Sequence, residues 1–145
     1  MISTSKFPKP EDILPHNKPM SLVDRIVEFD LTNGIVSETI FPPDAFFFQG
    51  HFEDNPITPG VILVEAMFQT CGLYLRLAME YSKDFYQVLG RAVKIKNASF
   101  MREVLPNQSI TIHAKFKHRM MTFYVFDCYI KLDSKIVCQS ELVLS

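Results

Sequence analysis

Only one stretch of this 145-residue chain is long and apolar enough to dictate what must surround it: the run from Val61 to Met79. It is interrupted by Glu65, Gln69 and Arg76. A charge at a bilayer centre costs on the order of 3 kcal/mol, so the reading is a buried helix of a globular protein, with no membrane span. The start of the helix is well marked. Thr58 can cap it, Pro59 suits the first helical position, and good helix formers continue to about Tyr81. Apolar residues fall on nearly every face, and a helix of that kind must be enclosed by protein.

Strands are the available enclosure. Ser21–Phe29 and Gly34–Phe41 read as β, separated by Asp30-Leu31-Thr32-Asn33-Gly34, whose Asn-Gly can supply the positive φ angles of a hairpin turn. After the helix come Ala92–Phe100 and Ser109–His118, where Ile110, Ile112, Ala114 and Phe116 alternate with Thr111, His113, Lys115 and Lys117. Phe123–Leu132 and Lys135–Leu144 follow, joined at Asp133-Ser134. Residues 1–19 are rich in proline and make an arm with at most one helical turn, near Glu11 to Leu14. Residues 42–60, PPDAFFFQGHFEDNPITPG, are too punctuated for regular structure, and a loop of that length is usually functional. This order predicts an α+β fold in which one antiparallel sheet wraps one long central helix. The helix covers a single sheet face, so the polar face of Ser109–His118 is either wet or paired with a second subunit. The length suits a single domain over residues 1–145.

With 48% hydrophobic and 21% charged residues, the chain is not of a disordered class. Its net charge is −1, yet residues 91–119 hold seven basic residues against the single acid Glu103. That asymmetry fits either an acidic partner or a solvated, lysine-rich strand face, and the average charge argues for no nucleic acid. Three cysteines, Cys71, Cys128 and Cys138, lack metal-ligand spacing and form no disulfide framework, which suits a reducing compartment. The N-terminus lacks the apolar segment of a secretory signal, so the expected location is the cytoplasm.

Chemistry is concentrated around the helix start. Glu65 and Gln69 share one helix face by their i, i+4 spacing. Burial disfavours a charged carboxylate, so Glu65 tends to hold its proton and becomes a candidate general acid; the alternative is a glutamate that snorkels to an edge or pairs with a buried base. His51, between Gly50 and Phe52 in the punctuated loop, is the candidate base, whereas His16, His113 and His118 have no comparable setting. Gly60 and Val61 carry N–H groups without intrahelical acceptors, which suit a carbonyl oxygen that turns negative during reaction, unless they form an ordinary solvated terminus. Base, acid and oxyanion donors together suit proton removal beside a carbonyl and loss of a β-hydroxyl as water.

The residues Leu14-Pro15-His16, Leu22-Val23-Asp24-Arg25, Gln49-Gly50-His51-Phe52, Pro59-Gly60 and Glu65-Ala66-Met67 resemble the 3-hydroxyacyl-acyl carrier protein dehydratases of fatty-acid synthesis, over about residues 11 to 144. The resemblance implies the hotdog fold and dehydration of 3-hydroxyacyl thioesters to trans-2-enoyl thioesters without metal or other cofactor. It implies His51 as base, Glu65 as acid, the Gly60 N–H as oxyanion donor, and Gln69 as support for Glu65. It implies a homodimer or higher homo-oligomer in which His51 of one subunit faces Glu65 of the other across a tunnel. The implied partner is an acyl carrier protein presenting its acyl chain on phosphopantetheine, with Lys96 and Arg102 as candidate docking residues.

Glu65 matches the branch of that family that only dehydrates, while Phe68-Gln69-Thr70-Cys71-Gly72-Leu73-Tyr74-Leu75 and Glu103-Val104-Leu105-Pro106 look closer to the branch that also isomerises. Glu53 stands where the family usually has proline, and its charge favours protonated His51. Lys94 stands where glycine is common, and its long side chain would narrow the tunnel or reach an anionic group. Both departures point to a specialised acyl substrate. Two alternatives remain open: a hotdog thioesterase using the same carboxylate to activate water, and a non-catalytic subunit that partners an active dehydratase.

Overall fold

In a computed structural model of the chain, the described residues are 7–49, 54–85, 88 and 90–145. Helix α1 (Pro10–Ile13) is followed by strands β1 (Arg25–Asp30) and β2 (Gly34–Ile40), helix α2 (Gly60–Tyr81), and strands β3 (Ala92–Phe100), β4 (Ser109–Met120), β5 (Phe123–Leu132) and β6 (Lys135–Leu144). The six strands form one sheet in the order β1-β2-β4-β5-β6-β3, antiparallel throughout. The sheet wraps α2, the hotdog arrangement expected from the sequence.

Alternation decides which face of the sheet meets the helix. Ile110, Ile112 and Ala114 of β4, Phe126, Cys128 and Ile130 of β5, and Cys138, Leu142 and Leu144 of β6 point inward and are buried. They meet Ala66, Met67, Cys71, Leu73 and Tyr74 of α2, which are fully buried. By length and composition α2 could cross a bilayer, but 83% of its most apolar window is buried inside the protein. The outer face is polar: Lys117 pairs with Glu141 at 2.7 Å and Asp127 at 3.7 Å, and His113 stacks on Tyr129 at 4.5 Å. At one end of the helix Tyr74 anchors an aromatic cluster with Phe29, Phe85, Phe116 and Phe126, and its hydroxyl donates to the Leu31 carbonyl.

Several local expectations change. Thr58 does not cap α2. Pro59 is the N-cap residue, its carbonyl accepting the Ile62 and Leu63 N–H groups, while the Thr58 hydroxyl is buried with no partner among the described residues. The first strand begins at Arg25 rather than Ser21, because the Leu22 N–H is taken by the Gln69 side chain and the Leu22 carbonyl by the Thr39 hydroxyl, leaving that residue nothing for a ladder. The hairpin turn uses Gly34 alone at positive φ (+124°), with the Asp30 carboxylate accepting the Asn33 N–H. A Cβ at 34 would sit 2.2 Å from the Ala114 carbonyl, so only glycine fits. Within the punctuated loop, Phe46–Phe48 form a turn of 3-10 helix. Phe47 and Phe48 are buried while Phe46 stays exposed, and Phe47 lies edge-on to Phe41 at 5.0 Å.

Candidate active site

Glu65 occupies the second turn of α2, and a network of fixed directionality holds its carboxylate. The Leu22 N–H can only donate, so the amide oxygen of Gln69 must face it, at 2.9 Å. The Gln69 NH2 group then points to the Met20 carbonyl at 2.7 Å and to Glu65 Oε2 at 2.9 Å. Gln69 is only 1% exposed, so every polar atom of its amide is spent inside the protein. The pairing of Glu65 with Gln69 read from their spacing is therefore present, and it also ties the segment before β1 to the helix.

His16, which in the sequence has no setting comparable to that of His51, approaches the same oxygen: its Nε2 lies 3.3 Å from Glu65 Oε2. The His16 Nδ1 is buried and has no partner among the described residues. Pro15 and the docking of Leu14 against Gly72, where a Cβ would come within 3.2 Å of the leucine, bring the histidine to the helix. A sequence signal for this was present in Leu14-Pro15-His16, but nothing local to it indicated a glutamate 49 positions on. With Gln69 and His16 both on Oε2, Oε1 is the carboxyl oxygen without a partner among the described residues.

The expectation of a dry carboxyl needs correction. The Glu65 side chain is 30% exposed, because the helix stripe that carries it faces a cavity rather than the sheet. That cavity, about 280 Å3, runs along α2 past Phe68, Gln69 and Gly72 to Arg76. Gly60 and Val61 lie elsewhere. Gly60 borders a second cavity, about 330 Å3, with Thr58, Leu63, Phe100 and Arg102, and a side chain at 60 would strike the Phe100 ring at 3.0 Å. Val61 is 76% exposed, and neither of these two N–H groups has an acceptor among the described residues. Among the described residues, the cavity beside Glu65 and the cavity beside Gly60 share no lining residue. His51, together with Gly50, Phe52 and Glu53, lies outside the described residues.

The two docking candidates separate as well. Lys96 is 3.9 Å from Glu141, an acid that Lys117 already engages, so its charge is partly offset on the outer face. Arg102 has no ion pair among the described residues and lines the cavity beside Gly60. Lys94 is exposed, on a strand whose nine residues are all exposed. Among the described residues no group of three histidine, cysteine or acidic side chains is arranged to hold a metal ion.

Comparison with known proteins gives a consistent result. Residues 14–141 match the FabA-like domain. The chain is 37% identical over 133 residues to the "Bifunctional enzyme LpxC/FabZ" of Chlorobaculum tepidum, covering 92% of this chain and 28% of that protein. It is 33% identical over 134 residues to the "3-hydroxyacyl-[acyl-carrier-protein] dehydratase FabZ" of Xanthomonas euvesicatoria, covering 92% of this chain and 87% of the relative. Among solved structures, "The Dehydratase Heterocomplex ApeI:P from Xenorhabdus doucetiae" superposes with a TM-score of 0.80 over 94% of this chain and 90% of that one, at 14% identity, a likeness of fold alone.

Proposed function

The chain belongs to the FabA-like domain family, and on that premise we propose that it is a 3-hydroxyacyl-[acyl-carrier-protein] dehydratase, removing water from 3-hydroxyacyl thioesters to give trans-2-enoyl thioesters. The observation that carries the reading is the Glu65 carboxyl, held on Oε2 by Gln69 and His16 and, among the described residues, without a partner on Oε1 at the wall of a cavity. In the proposed reaction His51 takes the α-proton, the developing enolate oxygen accepts the Gly60 and Val61 N–H groups, and Glu65 Oε1 delivers the proton that leaves with the β-hydroxyl as water. A single catalytic acid or base of this kind contributes roughly 10²–10⁴ in rate.

The separation of the Glu65 and Gly60 cavities favours a site completed by a second copy. Strand β3 supplies a surface for it: an edge strand nine residues long, exposed along its whole length, bearing Val93 and Ile95. Its lysines Lys94 and Lys96 and two register irregularities blunt the edge in part, yet an edge of that length with exposed apolar residues remains able to pair with another strand. In the proposed homodimer, β3 pairs with its symmetry mate and His51 of one subunit serves Glu65 of the other. The partner that delivers substrate is an acyl carrier protein, an acidic molecule for which Arg102, at the mouth beside Gly60, is the better-placed contact than Lys96.

Appearance of the 2-enoyl thioester, followed by its ultraviolet absorption, tests the reaction. Glu65→Gln and His51→Ala should each lower it at least a hundredfold with the fold intact. Release of free thiol would indicate a thioesterase, and neither product over several chain lengths would indicate a non-catalytic subunit. Arg102→Glu should slow carrier-bound substrate while sparing a short thioester mimic; equal effects would remove the docking assignment.

A further inference from the structure

We infer that Arg76 and Arg91 form an anion-recognition subsite at the far end of the cavity that begins at Glu65, reading a carboxylate or phosphate tethered to the thioester substrate. The inference rests on the dehydratase reading and adds a ligand feature to it. Glu65, Phe68, Gln69, Gly72, Leu75 and Arg76 follow a three-four spacing and all line this one cavity, so they form a continuous stripe of α2. Eleven positions separate Glu65 from Arg76, about 16 Å along the axis at roughly 1.5 Å per residue.

The chemistry of the cavity is polarised along that length. Leu14, Phe68, Leu75 and Val88 make its middle apolar. Arg76 is half-buried on a helix whose flanking residues Leu73, Tyr74, Leu75, Leu77 and Ala78 are all buried. No ion pair or hydrogen bond engages the guanidinium of Arg76 or Arg91 among the described residues, while those of Arg25 and Arg119 donate to the Glu38 carboxylate and to the Asp84 carbonyl. A half-desolvated cation without a counter-charge is costly to maintain. The only carboxylate lining the cavity, among the described residues, is Glu65, already engaged by His16 and Gln69 and not within 4.0 Å of either arginine.

The position of Arg91 is built rather than incidental. Its N–H donates to the Ser145 carbonyl at 2.8 Å and its carbonyl accepts the Ser145 N–H at 2.9 Å, which fixes the backbone at the start of β3. Gly90, at φ +77°, turns the chain against the helix, where a Cβ would lie 4.0 Å from the Gly72 Cα. Both arginines thus line one end of an apolar corridor whose other end holds the acid. A planar guanidinium matches carboxylate and phosphate oxygens two at a time, and does so best in a partly dehydrated setting. The tethered anion has two sources: a carboxylate at the distal end of the acyl chain, or the phosphate of a pantetheine arm.

Equilibrium binding of saturated thioesters separates these, because such ligands carry no 3-hydroxyl and are not turned over. Three probes of equal acyl length are compared: acyl-pantetheine ending in methyl, the same ending in carboxylate, and methyl-ended acyl-4′-phosphopantetheine. At low salt at least one anionic probe should bind about tenfold or more tighter than the neutral one, and Arg76→Gln should erase that gain, with Arg91→Gln reducing it. The probe that loses its advantage names the source. Thermal unfolding of both variants checks the fold, and Arg91, being exposed, reads the subsite even if Arg76→Gln destabilises the helix. Equal binding of all three probes, or a gain that survives both substitutions, overturns the inference. Failure of every 3-hydroxyacyl thioester to lose water would instead overturn the proposed reaction, and these binding ratios would still stand or fall by themselves.

Discussion

Helix α2 and strand β3 are both rich in apolar residues, and they meet opposite fates. Of α2, fifteen residues are buried, from Ile62 to Ala78. Of β3, none is. The helix is enclosed by its own sheet, whereas the strand ends that sheet and presents Val93, Ile95, Phe100 and the neighbouring Met101 to the outside. Burial of α2 is a property of one chain; burial of β3, if it occurs, must be a property of an assembly. The candidate site follows the same division, with Glu65 on the helix stripe that the sheet leaves open and Gly60 against Phe100 at the end of β3.

The comparison breaks most visibly if β3 tolerates charge. Ile95→Asp should convert the protein to monomers and lower water loss by roughly a hundredfold or more, since misplacing catalytic groups across an interface costs about that much. Light scattering alongside the enoyl assay checks this, and an active, still-associated variant would mean that β3 is a solvated edge. Leu73→Ala on the buried side of α2 should act differently, costing about 2–5 kcal/mol of folding stability in urea titrations through the cavity it leaves. The same truncation at Val93 should cost far less in the isolated chain.

The smallest effect sharpens the contrast between the two sheet faces. Burial first, and then the Lys131 charge, hold His113 below its ordinary value of 6.5. The unfolded chain therefore takes up this proton earlier as pH falls, and stability from this group is lost from about pH 6.5 downward. His113→Phe keeps the stack on Tyr129 and should reduce the drop in urea midpoint between pH 7.5 and 5.5. An unchanged drop would assign the acid sensitivity to other groups.

The sequence was most legible where a local pattern had a single physical solution. The alternation of Ile110, Ile112 and Ala114 fixed a strand face, and strands over Ala92–Phe100, Phe123–Leu132 and Lys135–Leu144 lie where periodicity put them. The i, i+4 relation of Glu65 and Gln69 survived into a 2.9 Å hydrogen bond. What a local pattern could not convey was distant: that Gln69 would claim the Leu22 N–H and stop a strand there, or that His16 would cross to Glu65. Thr58 had the right chemistry for a cap and the wrong place, its backbone N–H being drawn to the Val104 carbonyl at 2.8 Å and its hydroxyl buried.

The central proposal, one reaction site built by two copies of the chain, is tested most directly by mixing two inactive variants. His51→Ala and Glu65→Gln homodimers should each be silent. After co-refolding in equal amounts, half of the dimers are mixed, and each mixed dimer holds one intact site in two, so activity should return to about a quarter of the native value. A mixture as inactive as its components would place both residues in the same subunit's site and contradict the account.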